Sequence, residues 1–282
     1  MAAWMAGTLA MSGCGEKETE KPVILAVSFG TSYNDSREKT IGAVENAISE
    51  AYPDYEVRRA FTSQIVIDVI KERDDETINN VEQAFDQMVE DGVKTLVVQP
   101  THVMNGYEYD DLVAVVDSYK DEFDAVSIGM PLLSSDEDYT KLAEALTADT
   151  ASYSNEETAV VFMGHGTEHE ANASYAKLQE TLTANGDVNY LIGTVEAAPS
   201  LNDVVSAVKA GGYKKVVLQP LMVVAGDHAN NDMAGDEEGT WKTAFEAEGF
   251  EVECVLRGLG EIEAVQEIYV SHTADAIAAL GE

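Results

Sequence analysis

The sequence predicts an α/β protein of two similar Rossmann-like lobes, each a parallel sheet covered by helices, with a cleft between them. Three observations predict it. Short continuous apolar runs, as in buried parallel strands, alternate with stretches of helical periodicity. The order of elements restarts near residue 155. Finally, residues 91–106 can be laid on 211–226 at a constant offset of 120 without a gap, and seven of the sixteen positions are identical. Roughly one identity is expected by chance at average composition.

In the first half, Val23-Ile24-Leu25-Ala26-Val27 is an uninterrupted apolar strand, followed by a helical pattern through Ile41, Val44, Ala47 and Ile48. A second strand over 56–61 precedes helices over 65–70 and 81–89. Thr95-Leu96-Val97-Val98-Gln99-Pro100 is the third strand, then a helix over 110–119, a strand over 125–128 and a connecting helix over 136–149. In the second half, strands over 159–163, 188–193, 215–220 and 251–255 alternate with helices over 171–184, 201–210, 240–248 and 262–279. The repeated identities are Gly92/Gly212, Lys94/Lys214, Val97/Val217, Gln99/Gln219, Pro100/Pro220, Val103/Val223 and Gly106/Gly226. Phe29-Gly30-Thr31 after the first strand likewise matches His165-Gly166-Thr167 after its counterpart. The lobes divide as 22–150 and 151–282.

Composition narrows the function. The 282 residues are 45% hydrophobic and 24% charged, as in a soluble globular protein. Against 52 Asp+Glu there are 17 Lys+Arg, a formal net charge of -35. Nucleic-acid binding runs on cations that neutralise phosphates, so nucleic-acid partners are excluded. The two cysteines, Cys14 and Cys254, sit in unrelated contexts and define no disulfide framework or multi-cysteine metal site. Cys254 lies in a strand and reads as a core thiol. Residues 1–13 are uncharged and end in Ser12-Gly13-Cys14, which resembles a lipoprotein signal with Cys14 as the lipidated residue. Residues 1–21 are therefore expected to be a signal remnant and tether, holding the protein to the membrane outside the cytoplasm.

Ligands of open α/β sheets bind beyond the carboxyl ends of the strands. Three such ends in the second half deliver His165, Glu196 and His228. Singly each reads more readily as an ordinary hydrogen-bonded loop residue. Together, in a chain with five His, they form a candidate metal set with open coordination positions, suited to cobalt, nickel, iron or zinc. Glu108 falls opposite His228 in the repeat and is expected to face the cleft. His102 reads either as a substrate-facing or as an ordinary loop residue. His169 reads as a solvent-facing or supporting residue, and His272 as a structural one whose loss is silent. Two loops, around Ser28, Gly30 and Thr31 and around Gly166, precede helices; their backbone N–H groups either attract carboxylates or simply begin the helices. Without a Walker A or GxGxxG pattern, no nucleotide is expected.

Residues 163–172, Met-Gly-His-Gly-Thr-Glu-His-Glu-Ala-Asn, and 225–236, Ala-Gly-Asp-His-Ala-Asn-Asn-Asp-Met-Ala-Gly-Asp, resemble the two signature segments of the anaerobic cobalt chelatases of the CbiK type. Ser28-Phe29-Gly30-Thr31-Ser32 is similar to the start of that family. The resemblance, from Pro22 onward, implies a class II chelatase fold and ATP-independent insertion of divalent cobalt into the tetrapyrrole sirohydrochlorin, with iron used by related members. It implies His165, Glu196 and His228 as metal ligands, and Glu108 as an acid facing the tetrapyrrole. His165 and His228 would also serve catalysis as proton acceptors. The competing reading is a lipoprotein that binds metal, haem or another tetrapyrrole without catalysis; a solute-binding protein fits the repeat less well. A homo-oligomer is left open. Because the substrate is a polycarboxylate and the protein anionic, local donors are expected to include the two loops and Arg37, Arg58, Arg59 or Arg257.

Overall fold

The computed structural model describes residues 21–281. Cys14 and the signal remnant lie outside the described residues.

Two four-stranded sheets of identical order form the frame. The first contains β1 (Val23–Ser28), β2 (Glu56–Phe61), β3 (Thr95–Pro100) and β4 (Ala125–Ile128) in the order β2-β1-β3-β4. The second contains β5 (Thr158–Gly164), β6 (Tyr190–Thr194), β7 (Lys215–Pro220) and β8 (Glu251–Cys254) in the order β6-β5-β7-β8. Every neighbouring pair is parallel. Both sheets thus reverse direction of growth beside their first strand, between β1 and β3 and between β5 and β7, and such switch points open a crevice at the carboxyl ends.

The helices are α1 (Asn34–Arg37), which runs through a π-helical turn (Glu38–Gly42) into α2 (Ala43–Ala51), then α3 (Gln64–Asp74), α4 (Val81–Glu90), α5 (Tyr107–Tyr119) and α6 (Asp136–Asp149). The second half adds α7 (Ala173–Asn185), α8 (Leu201–Gly211), α9 (Trp241–Ala247) and α10 (Glu263–Ala279). Among the described residues no helix is long and apolar enough to cross a membrane.

Strand alternation sorts the side chains to two faces. Val23, Leu25 and Val27 meet Phe85 and Met88 of α4 and Leu112 of α5 on one face of the first sheet. Val161 and Met163 meet Val204 and Val208 of α8 and Phe245 of α9 on the equivalent face of the second. The opposite faces share one core: Ile24 and Val97 belong to the same buried cluster as Val160 and Phe162. The joint is made by α6 and α10. Although α10 ends the chain, it packs on β3, β4 and α2 of the first half, while α6 packs on both α7 and α10.

The repeat is explained by structure. Gly92 and Gly212 both end helices with positive φ, 76° and 74°, where a side chain would be strained. Gln99 and Gln219 are both fully buried. The Gln99 amide donates to the carbonyls of Pro100 and Met130, and that of Gln219 to Asp149.

Some element ends differ from the sequence expectation. Strand β6 starts at Tyr190, because Val188 is turned outward in a turn closed onto Gly186. Helix α5 starts at Tyr107, so Glu108 lies in a first helical turn and not in a loop. Cys254, expected in the core, is half-buried.

Candidate metal centre

His165 leaves the carboxyl end of β5 on a backbone that only glycine permits. Gly166 has φ 85°, and a Cβ there would stand 2.8 Å from the Ala197 amide nitrogen and 2.9 Å from Thr194 Cβ. This close approach lays the β5 loop against the β6 loop that carries Glu196. The Glu196 amide donates to the His165 carbonyl at 2.9 Å. Beneath the loop lies the buried ring of Tyr175, whose hydroxyl accepts from the Gly166 amide at 3.2 Å. Burial raises the Tyr175 pKa, keeping the phenol neutral.

The two imidazoles are oriented alike. His165 Nδ1 is 2.7 Å from the Gly166 carbonyl oxygen. His228 Nδ1 is 2.6 Å from Asp232 Oδ2, one helical turn on. Each oxygen is an acceptor, so each Nδ1 donates its proton and each Nε2 is left with a free lone pair. The rings meet edge to face with centroids 4.8 Å apart. Glu196 Oε1 is 3.9 Å from His165 Nε2. Among the described residues no three ligand-type side chains close around a single point. His165, His228 and Glu196 instead form an open, solvent-facing half-site that could hold a borderline divalent ion weakly enough to release it.

The first half faces this set. Glu108 lies two residues after Gly106, as His228 lies two after Gly226. The negative charge of Glu108 acts on the rings of both His102 and Tyr175. Both ring nitrogens of His102 are buried without a partner, and burial pushes its pKa down to about 4 against the opposing pull of Glu108. His169 Nε2 lies 3.3 Å from Asp110 Oδ2 of α5, and its ring meets Tyr107 edge on. His169 thus ties the second-half loop to the first-half helix. Near the opposite loops, Ala225 N donates to Ser36 Oγ, and a Cβ on Gly226 would stand 3.1 Å from Thr31 Oγ1.

Ser28, Gly30 and Thr31 shape the first-half loop. Ser28 and Thr31 are buried, the Ser28 hydroxyl pairs with Thr101 at 2.7 Å, and Gly30 turns at φ 100°. The arginines expected to draw an anionic substrate are committed elsewhere. Arg37 pairs with Glu76, Arg58 with Asp91, Arg59 with Glu45 and Arg257 with Asp149. In a chain this rich in carboxylates, each of these guanidiniums has found an acid of its own. His272 is structural as expected: it is buried, with Nδ1 on the Met130 carbonyl and Nε2 3.1 Å from Asp138. Sequence reasoning passed over Asp232 and Tyr175. The i,i+4 spacing of His228 and Asp232 on a helical turn was the available signal for the first; the second had none, since its contact is with a loop amide.

The family model "Cobalt chelatase (CbiK)" matches residues 22–278.

The chain belongs to the CbiK cobalt chelatase family.

Within reach of that family, the chain is 39% identical over 257 residues to the sirohydrochlorin cobaltochelatase of Salmonella typhimurium, covering 91% of this chain and 97% of that protein. It is 36% identical over 266 residues to the sirohydrochlorin cobaltochelatase CbiKC of Nitratidesulfovibrio vulgaris, covering 94% and 93%. Solved structures share the fold at lower identity. SirB from Bacillus subtilis with Fe3+ superposes with a TM-score of 0.63 at 15% identity, over 93% of this chain and 98% of SirB. CbiX, described as the terminal enzyme of siroheme biosynthesis in denitrifying bacteria, gives 0.51 at 14%, over 90% and 99%. This member of the family therefore has the two-lobed chelatase fold expected from its sequence.

Proposed function

We propose that this metal chelatase inserts divalent cobalt into sirohydrochlorin, with His165, Glu196 and His228 holding the ion and Glu108 facing the macrocycle. The observation that carries the reading is the matched pair of imidazoles: both Nδ1 atoms are tied back, and the two rings meet beside Glu196 at the second sheet's switch point. In this reading the ion arrives as substrate and is held by few ligands. Pyrrole nitrogens replace those ligands one at a time. The two pyrrole protons leave to bases lining the cleft, for which Glu108 and the released imidazoles are placed. Nothing in this sequence of steps requires nucleotide hydrolysis. Iron or nickel could occupy the same donor set, since imidazole and carboxylate suit each of them.

The test is direct. Purified protein is incubated with sirohydrochlorin and Co2+, then with Fe2+, and the visible spectrum is followed against a protein-free control. Insertion above the control supports the enzyme. Tight tetrapyrrole binding with no rate above the control would replace it with a carrier.

We also propose lipid attachment at Cys14 and residence outside the cytoplasmic membrane, supported by the uncharged run that ends in Ser12-Gly13-Cys14 and the charged tether after it. Cys14→Ser should move the protein from the membrane to the soluble fraction. Identical fractionation of both forms would remove this reading.

A further inference from the structure

The two halves dress equivalent strand ends differently. Beyond β5, β6 and β7 stand His165, Glu196 and His228, and only beyond β8 does an exposed apolar residue, Leu256, follow. Beyond β1, β2, β3 and β4 stand four exposed apolar side chains, Phe29, Ile65, Tyr107 and Met130. Phe29 carries the most information, because its place in the repeat is that of His165. Each residue follows the last position of its strand, and each precedes a glycine of positive φ and then a threonine.

Phe29 is 52% exposed, yet its backbone is pinned. Ser63 N donates to the Phe29 carbonyl at 3.2 Å, and Thr62 N to that of Ser28 at 2.9 Å. A Cβ on Gly30 would stand 2.6 Å from the Phe61 ring, so the turn leaves no room for another residue. The same loop touches the His228 loop through Thr31 and Gly226. A Phe held outward on a rigid loop leaves apolar area in water, which stabilises nothing in the free protein. It is suited to a flat apolar partner, and the paired arginines of this protein leave shape and apolar contact a larger share of recognition.

Resting on the chelatase reading, we infer that Phe29 is a macrocycle-contact residue, packing on the tetrapyrrole face turned away from the metal donors and setting its register over His165 and His228. The division of labour follows: the second half holds the ion, and the first half holds the ring. Phe29 then governs affinity for the tetrapyrrole and leaves affinity for the metal alone.

The experiment separates the two affinities. Sirohydrochlorin is titrated into metal-free protein and followed by its absorbance and fluorescence; Co2+ is titrated separately by calorimetry; insertion gives kcat and KM. Phe29→Ala should raise the tetrapyrrole Kd and KM about tenfold or more, as loss of an aromatic contact does, with Co2+ affinity and Tm unchanged. Phe29→Tyr should restore most of the binding. Tetrapyrrole Kd and KM within twofold of wild type in Phe29→Ala would overturn the inference, as would an equal loss of Co2+ affinity. If the wild-type protein neither binds sirohydrochlorin nor inserts metal, the chelatase reading itself fails and this inference falls with it. That outcome is distinct, because it appears before any variant is made.

Discussion

The imidazoles of His165 and His228 meet edge to face, with ring centroids 4.8 Å apart, although they leave the ends of two different strands. What brings them together is the pairing of β5 with β7, in which Met163 lies opposite Pro220. Two rings so close, each donating Nδ1–H to a fixed oxygen, leave both Nε2 atoms free within one small region. The proposed cation site rests on that arrangement.

His165→Ala and His228→Ala should each lower Co2+ affinity about a hundredfold or more and abolish insertion while the protein stays folded. Glu196→Gln should cost less, since an amide oxygen still coordinates. Asp232→Asn should lower affinity about 10- to 100-fold, the range for losing a carboxylate that orients a ligating His. Calorimetric Co2+ titration checks all four, and wild-type affinity in both His variants would remove the centre.

Gly166→Ala should damage the site through the backbone. It places a Cβ against the Ala197 amide in a left-handed conformation, at a cost of about 1–3 kcal/mol. Relief requires moving His165 away from Glu196, so Co2+ affinity should fall too. Gly186→Ala is the comparison: φ there is 94° with nothing within 4 Å of the new Cβ. It should show a loss of stability with metal binding intact.

His102 should make the fold acid-sensitive. Its pKa is lowered to about 4 by burial, against about 6.5 for an unfolded His. The unfolded chain therefore binds the proton first, and stability is full above pH ~6.5 and falls as pH drops toward 4. The slope is at most about 1.4 kcal/mol per pH unit, about 3 kcal/mol over the window. Urea unfolding of wild type and His102→Phe from pH 4 to 7 should show a flatter acid limb in the variant. Parallel curves would mean that His102 is hydrated in solution.

His272→Ala, expected from the sequence to be silent, should instead destabilise. It removes the donor to Oδ1 of Asp138, a carboxylate only 4% exposed, and one of the two donors to the Met130 carbonyl, which keeps Gln99. A loss of about 1–3 kcal/mol is the ordinary result of stranding buried hydrogen-bonding groups. Thermal unfolding measures it, and Co2+ affinity should not change, because His272 sits under the first-half loops and not beside the two facing imidazoles.

Much of the fold was legible because its signals are local. The central strands β1, β3, β5 and β7 carry continuous apolar runs that are buried along almost their whole length, and the helical stretches between the strands follow their apolar spacing. The duplication was legible because Gly92/Gly212 and Gln99/Gln219 answer the same backbone and burial demands twice. The candidate donors were legible too: a residue that follows a buried parallel strand lies at the carboxyl edge of its sheet whatever else the chain does. The fate of Arg37, Arg58, Arg59 and Arg257 was not, since Glu76, Asp91, Glu45 and Asp149 reach them only through folding.

By itself, then, the sequence determined two parallel α/β sheets of like construction, their strand-end loops, and the set His165, Glu196, His228 and Glu108 as residues delivered to those ends. Periodicity and glycine placement act within a few residues, so they can be read along the chain. Tertiary structure alone decided that α10 returns to cover the first sheet, that Tyr175 props the His165 loop, that His169 reaches Asp110, and that His102 is buried without a partner. Each of these is a contact between segments distant in sequence, set by which surfaces can close-pack and which polar groups are left to pair once they have done so.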